Sequence, residues 1–170
     1  MTFDPITIFA ILAAFASGGT LKGATGAGAP IITIPVIAAF YDVRIAVIIM
    51  VIPNLLTNIS QIYQFRKTIL PIFFTFSFAL GGGIGAFVGT ILLINLPIKI
   101  LTLSVAFIVI IYITLKLIVP SWKLAYQKAT KLVFIMGAGG GVLQGSAGLS
   151  APVSITFLNS MKKLMEKKLI

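Results

Sequence analysis

The sequence predicts an all-α, polytopic membrane protein built from inverted-topology repeats, and three observations predict it. Of its 170 residues, 59% are hydrophobic and only 9% charged, whereas a soluble domain carries roughly a quarter charged residues. Two glycine-broken segments match each other at a shift of 122 residues. The basic residues, which set a net charge of +10, gather in a few loops between apolar runs. So little polar surface excludes a soluble enzyme and a disordered chain. One helical span takes about 20 apolar residues, so the chain has room for about five or six spans with short loops.

Taken in order, residues 6–16 form an apolar run too short to cross a bilayer alone. Residues 17–30 then carry five glycines and a proline, a composition that opposes a continuous helix. A second short apolar run occupies residues 31–40. Residues 6–40 are therefore expected to form a hairpin of two half-length helices around a glycine-rich turn. Ala14-Phe15-Ala16 has the small-residue pattern of a signal-peptide cleavage site, but no basic residue precedes Lys22, so the required n-region is missing. Residues 44–63, 69–94 and 100–119 are three expected full spans. A loop with Lys123, Lys128 and Lys131 follows. Residues 132–143 are another short apolar run, leading through Gln144-Gly145-Ser146-Ala147-Gly148-Leu149-Ser150-Ala151-Pro152 to a last apolar stretch ending at Met161, and then a basic end.

The two broken segments align without a gap. Ala16, Gly18, Gly19, Leu21, Gly23, Gly26, Ala29 and Pro30 fall on Ala138, Gly140, Gly141, Leu143, Gly145, Gly148, Ala151 and Pro152, eight identities in fifteen positions. A duplication is the reading: a first repeat over residues 1–122, with a hairpin at 6–40 and three transmembrane helices, and the start of a second over 123–170, with the hairpin alone. Ile170 aligns with Ile48, so the second repeat is expected to be incomplete. Three crossings between copies invert the second relative to the first, a common plan in secondary transporters.

Loop charge gives an orientation. With each hairpin returning to its starting side, one face holds the N-terminus with Arg44 and Lys99. The other holds Arg66, Lys67, Lys116, Lys123, Lys128, Lys131, Lys162, Lys163, Lys167 and Lys168. Ten against two places the second face in the cytoplasm. If each broken segment were instead one full span, the bias would fall to six against six. A multi-pass protein of the cell membrane is expected, N-terminus outside and C-terminus cytoplasmic.

Chemistry-bearing residues are few. Cysteine and histidine are absent, and the only acids are Asp4, Asp42 and Glu166, all near expected element ends. No thiolate, imidazole or paired carboxylate is available for catalysis or for holding a metal. No enzyme activity, no metal and no cofactor are expected. The basic residues read as cytoplasmic loops rather than a nucleic-acid surface. Gly139-Gly140-Gly141 has no βαβ context, which argues against a nucleotide loop. Gly81, Gly85 and Gly89, at four-residue spacing, read as a close helix-packing stripe.

The paired motif, Gly19-x-x-Lys22-Gly-x-Thr25-Gly-x-Gly-x-Pro30 with Gly141-x-x-Gln144-Gly-x-x-Gly-x-Ser150-x-Pro152, resembles the TauE/SafE family of membrane transporters over essentially the whole chain. The resemblance implies two related halves, each opening on such a segment. It also implies a function in moving sulfite, sulfonates or other organosulfur anions across the cytoplasmic membrane.

The residues themselves also suggest where an anion would sit. Pro30 and Pro152 suit the first position of a half-helix, with Gly28 and Ser150 close to the N-caps. Helix starts near residues 28–32 and 150–153 would aim free N–H groups and positive dipole ends at each other, and such ends bind anions. Lys22 is the only basic residue in the broken segments, and a lysine at membrane depth is costly and by default functional. Gln144 holds the matching place in the second copy; Thr25, Ser146 and Ser150 add hydroxyls, which local capping would equally explain. Asn54, Thr57, Asn58 and Gln61 share one face of the first full span, beside Pro53. They read as a polar pathway wall or as interhelical packing bonds.

The expected substrate sites are thus Lys22, Thr25, Gly28, Gln144, Ser146 and Ser150, with a pathway at Asn54, Asn58 and Gln61. The expected partners are the lipid bilayer, a small anionic substrate and, to supply a missing wall, a second copy in a homo-oligomer. The competing functions are a non-transporting fragment or membrane assembly subunit, and a small anion channel.

Overall fold

The computed structural model describes residues 4–68, 70–118 and 124–166. Lys123, Lys167 and Lys168 of the charge count, and the outer limits Ile69 and Val119 of two expected spans, lie outside these residues, as do the side chains of Lys162 and Lys163. Seven α-helices account for nearly all of what is described: α1 (Pro5–Thr25), α2 (Ala29–Phe40), α3 (Val43–Phe65), α4 (Ile72–Asn95), α5 (Ile98–Ile118), α6 (Tyr126–Ala147) and α7 (Ala151–Glu166). Helices α1, α3, α4 and α5 are long and apolar enough to cross a membrane. Their outward faces carry large apolar side chains, such as Phe9, Ile72 and Leu117, which suit lipid contact.

The helix starts follow the sequence locally. Asp4 and Asp42 cap α1 and α3, accepting from the N–H groups of Ile6 and Arg44 at 3.4 and 2.7 Å. Two of the three acids are thereby used as caps.

The first broken segment differs from its expectation. α1 does not stop at Ala16; it runs unbroken through Gly18, Gly19 and Gly23. At 1.5 Å per residue its 21 residues reach roughly 31 Å, a full hydrocarbon thickness. Likewise α6 runs from Tyr126 to Ala147 rather than over residues 132–143. The physical reason is that backbone groups in apolar surroundings need internal partners. That demand outweighs a helix penalty of about 1 kcal/mol per glycine. The return arm α2, 12 residues long, is half-length.

The break itself is confined to Gly26–Gly28. Gly26 ends α1 in the left-handed region at φ 81°, and Gly148 ends α6 there at φ 69°. The helix ends (Thr25 and Ala147), the left-handed glycines (Gly26 and Gly148) and the next helix starts (Ala29 and Ala151) all coincide at the 122-residue shift.

Contacts fix the running directions. α2 folds back along α1: Thr33 Oγ1 donates to the Ala14 carbonyl at 3.2 Å, and Gly18 sits against Ala29 and Thr33 with no room for a Cβ. α3 runs parallel to α1, since Lys22 meets residues 54–58 and Gly26 meets Gln61. The first segment is therefore a returning hairpin rather than one interrupted span. α4 comes back antiparallel: Arg44, at the start of α3, donates to the carbonyls of Leu93, Ile94 and Leu96 at the end of α4.

The expected packing stripe is present, and its partner is a second one. Gly81, Gly85 and Gly89 of α4 press on the α6 backbone from Phe134 to Ser146, while Gly137, Gly141 and Gly145 of α6 press on the α4 backbone from Phe78 to Thr90. Both series rise together, so α4 and α6 are parallel, and α6 runs opposite to α1. That is the direction an inverted second copy requires.

Two apolar cores flank this seam. One gathers Ile34, Ile37, Val43, Ala46, Val47 and Met50 with Ala147 and Leu149, and joins the two turns. The other centres on Phe74, Val133, Phe157 and Met161, with the Phe74 and Phe157 rings stacked 6.1 Å apart.

Candidate functional site

Lys22 lies three residues before the end of α1 and is 5% exposed. Its ammonium donates to Asn54 Oδ1, Thr57 Oγ1 and Asn58 Oδ1, each at 2.7 Å. An ammonium has three N–H donors, so all three are used, and every acceptor is neutral. No Asp or Glu occurs between Asp42 and Glu166, so the helices around Lys22 offer no counter-charge. Taking a cation out of water costs several kcal/mol even after relaxation. Three good hydrogen bonds recover part of this and leave the positive charge uncompensated.

The level of the group along α3 follows from its three partners. Asn54 stands at the midpoint of its 23 residues, so the ammonium sits level with the middle of an apolar helix rather than at its end. The i, i+3, i+4 spacing of Asn54, Thr57 and Asn58 lets one turn of helix surround a single nitrogen. Thr57 also donates to the Pro53 carbonyl at 2.8 Å, which turns its lone pairs toward Lys22.

Two cavities meet at this group. The larger, about 590 Å³, lies between α1 and α3 and is lined by Gly19, Lys22, Thr25, Asn54, Thr57 and Gln61, among others. The smaller, about 60 Å³, lies between the two turns and is lined by Lys22, Gly28, Asn54, Asn58, Gln144 and Ser150 with apolar neighbours. Lys22 and Asn54 border both. The residues singled out in the two broken segments, 122 positions apart, thus do converge on one place.

Not every sequence candidate joins them. Ser146 lines neither cavity; its hydroxyl donates to the Val142 carbonyl at 2.7 Å. Thr25 lines the larger cavity, but its hydroxyl bonds to the Leu21 carbonyl at 2.8 Å and to that of Ala27, so it caps the backbone locally. Gln61 also lines the larger cavity, where its amide ties the α1 end by donating to the Gly26 carbonyl at 2.8 Å.

The helix starts differ from their expectation too. α2 and α7 begin at Ala29 and Ala151, so Pro30 and Pro152 are their second residues and bring no N–H. The Ile31 N–H is bonded to the Gly28 carbonyl, and the N–H groups of Val153 and Ser154 to that of Ser150. The first turns therefore consume much of the donor supply that an anion would have used, although the dipole ends still face the small cavity. Gly28 holds φ 109°, a conformation open to glycine, and Gln144 Oε1 accepts from the Ser150 N–H at 3.2 Å.

Ser60 and Gln64 extend the lining of the larger cavity and were not among the candidates. Their signal was available, since Gln64 continues the Asn54–Gln61 face by one more step of three.

No curated protein and no solved structure matches the chain significantly. Residues 10–169, nearly the whole chain, match the family described as sulfite exporter TauE/SafE; the chain belongs to this family of membrane transporters.

Proposed function

We propose that this protein is a secondary carrier for a small anion, and that the anion is held beside Lys22 between the two glycine-ended turns. The observation that carries the reading is a buried lysine whose ammonium has three neutral acceptors and no carboxylate among its hydrogen-bond partners. Such a group is a standing positive charge in low dielectric, and an anion is the ligand that balances it. Two helix dipoles ending at the same cavity add to the attraction. Sulfite or a simple sulfonate is the cargo class that family membership favours. The charge bias of the loops supports a cell-membrane protein with its N-terminus outside and its C-terminus in the cytoplasm.

The test is uptake of labelled sulfite and methanesulfonate into proteoliposomes bearing the purified protein. Saturable flux with counterflow supports a carrier. Unsaturable flux under an imposed gradient points to a channel. No flux of either anion above empty vesicles overturns the transport reading in favour of a membrane assembly role.

A further inference from the structure

The small cavity between the turns is bordered by three carboxamides, Asn54, Asn58 and Gln144. The hydrogen bonds fix which way each one faces. The Asn54 and Asn58 oxygens accept from Lys22, and the Gln144 oxygen accepts from the Ser150 N–H. An ammonium and a backbone N–H can only donate, so the atom each carboxamide offers them must be its oxygen. The amide nitrogen lies on the opposite branch of the same planar group, about 120° away, and it carries only donors.

We infer that Asn54, Asn58 and Gln144 form a recognition site for a small oxyanion, with each oxygen held by an internal donor and the NH₂ groups left for the ligand. On this assignment Lys22 does not grip the anion through its own N–H groups, because all three are engaged. It supplies the charge and is a positioning residue: it turns the two asparagines so that they donate outward. The carboxamides replace the backbone donors that the first turns of α2 and α7 consume. An NH₂ group on each of three carboxamides that line one small cavity suits a ligand with several acceptor oxygens, and the Lys22 charge disfavours a cation there. The same arrangement explains why glutamine rather than a second lysine at 144 fits this place. A second ammonium would add an unbalanced charge and would lose the oxygen that the Ser150 N–H needs.

The inference deepens the carrier reading and rests on it only for the ligand's being cargo, so binding and flux are measured separately. The probe is methanesulfonate, with binding to the full chain in nanodiscs followed by isothermal titration calorimetry. Asn58→Asp and Gln144→Glu keep shape and the inner oxygen but replace the outward NH₂ with a second oxygen. Each is expected to weaken binding by about tenfold or more, the scale of losing a hydrogen bond to a charged acceptor and gaining repulsion. Ser146→Ala, outside both cavities, is expected to bind as the parent does.

Size-exclusion profiles identify any variant that has lost its fold. Asn58→Leu then serves as the second probe, since it removes the donor without adding charge and is expected to weaken binding less than Asn58→Asp. Binding within twofold of the parent in folded Asn58→Asp and Gln144→Glu overturns the assignment, and so does a parent that binds no methanesulfonate. Binding that is lost in these variants, in a parent that shows no flux, leaves the site standing and removes the carrier reading instead.

Discussion

The Lys22 ammonium lies 2.7 Å from the Asn58 carboxamide oxygen, a bond between residues 36 positions apart that joins the end of α1 to the middle of α3. Lys22→Gln cannot reach that far and removes the charge. It is expected to raise the apparent KM for methanesulfonate uptake at least about tenfold or to abolish flux. Ser150→Ala loses one hydroxyl at a helix start, worth about 1 kcal/mol, and should cost only about fivefold. Flux by Lys22→Gln equal to the parent's would reduce Lys22 to a structural tie.

Gly85 and Gly83 are two residues apart in α4 and should respond in opposite directions. A methyl on Gly85 would run into the Ala138 carbonyl, which is backbone and cannot turn aside. Gly85→Ala is expected to lower stability by about 2 kcal/mol or more, because the two helices must part. Gly83 has nothing within 4 Å of the same position, so Gly83→Ala should leave stability unchanged or raise it by up to about 1 kcal/mol. Thermal unfolding in detergent reads both.

Arg44 forks onto three carbonyls at the end of α4, at 2.9, 3.1 and 2.6 Å. Arg44→Met should cost about 2 kcal/mol in the same assay while leaving the KM for substrate near the parent's. Arg44→Lys should recover only part of the loss, since an ammonium has no planar fork.

The chain contains no cysteine, so single-cysteine variants report sidedness without background. Lys99→Cys is expected to react with an impermeant maleimide from outside intact cells. Lys67→Cys and Lys128→Cys are expected to react only after the cells are opened. External labelling at position 128 would reverse the proposed orientation.

Much of the site was legible in the sequence because it depends on local spacing. The Asn54, Thr57, Asn58 face follows from helical periodicity, and Lys22 was conspicuous as a lone charge in an apolar, glycine-rich stretch. The length of α1 was not legible. Its glycines read as breakers, whereas Gly18 serves close approach by α2, and the surroundings impose helix on Gly19 and Gly23. The donor supply was not legible for a related reason: the closing of the first turns of α2 and α7 on themselves is a property of the folded backbone, not of residue type. Gly141 and Gly145 fall within the duplicated motif and Gly137 lies just before it, which hid their second role opposite Gly81, Gly85 and Gly89. Pairing two stripes more than fifty residues apart requires knowing that α4 and α6 lie side by side.

The glycine seam between α4 and α6 has a thermodynamic consequence. A glycine has no rotamers to surrender, and the backbone of a preformed helix is already ordered, so closing this contact freezes almost no further conformational freedom. The seam is therefore a contact whose attraction meets little opposing entropy. The walls of the larger cavity are the reverse, with Lys22, Gln61 and Gln64 each holding several torsions in one arrangement. Heating or ligand release should loosen the Lys22 side of the molecule first, with α4 and α6 persisting as one unit.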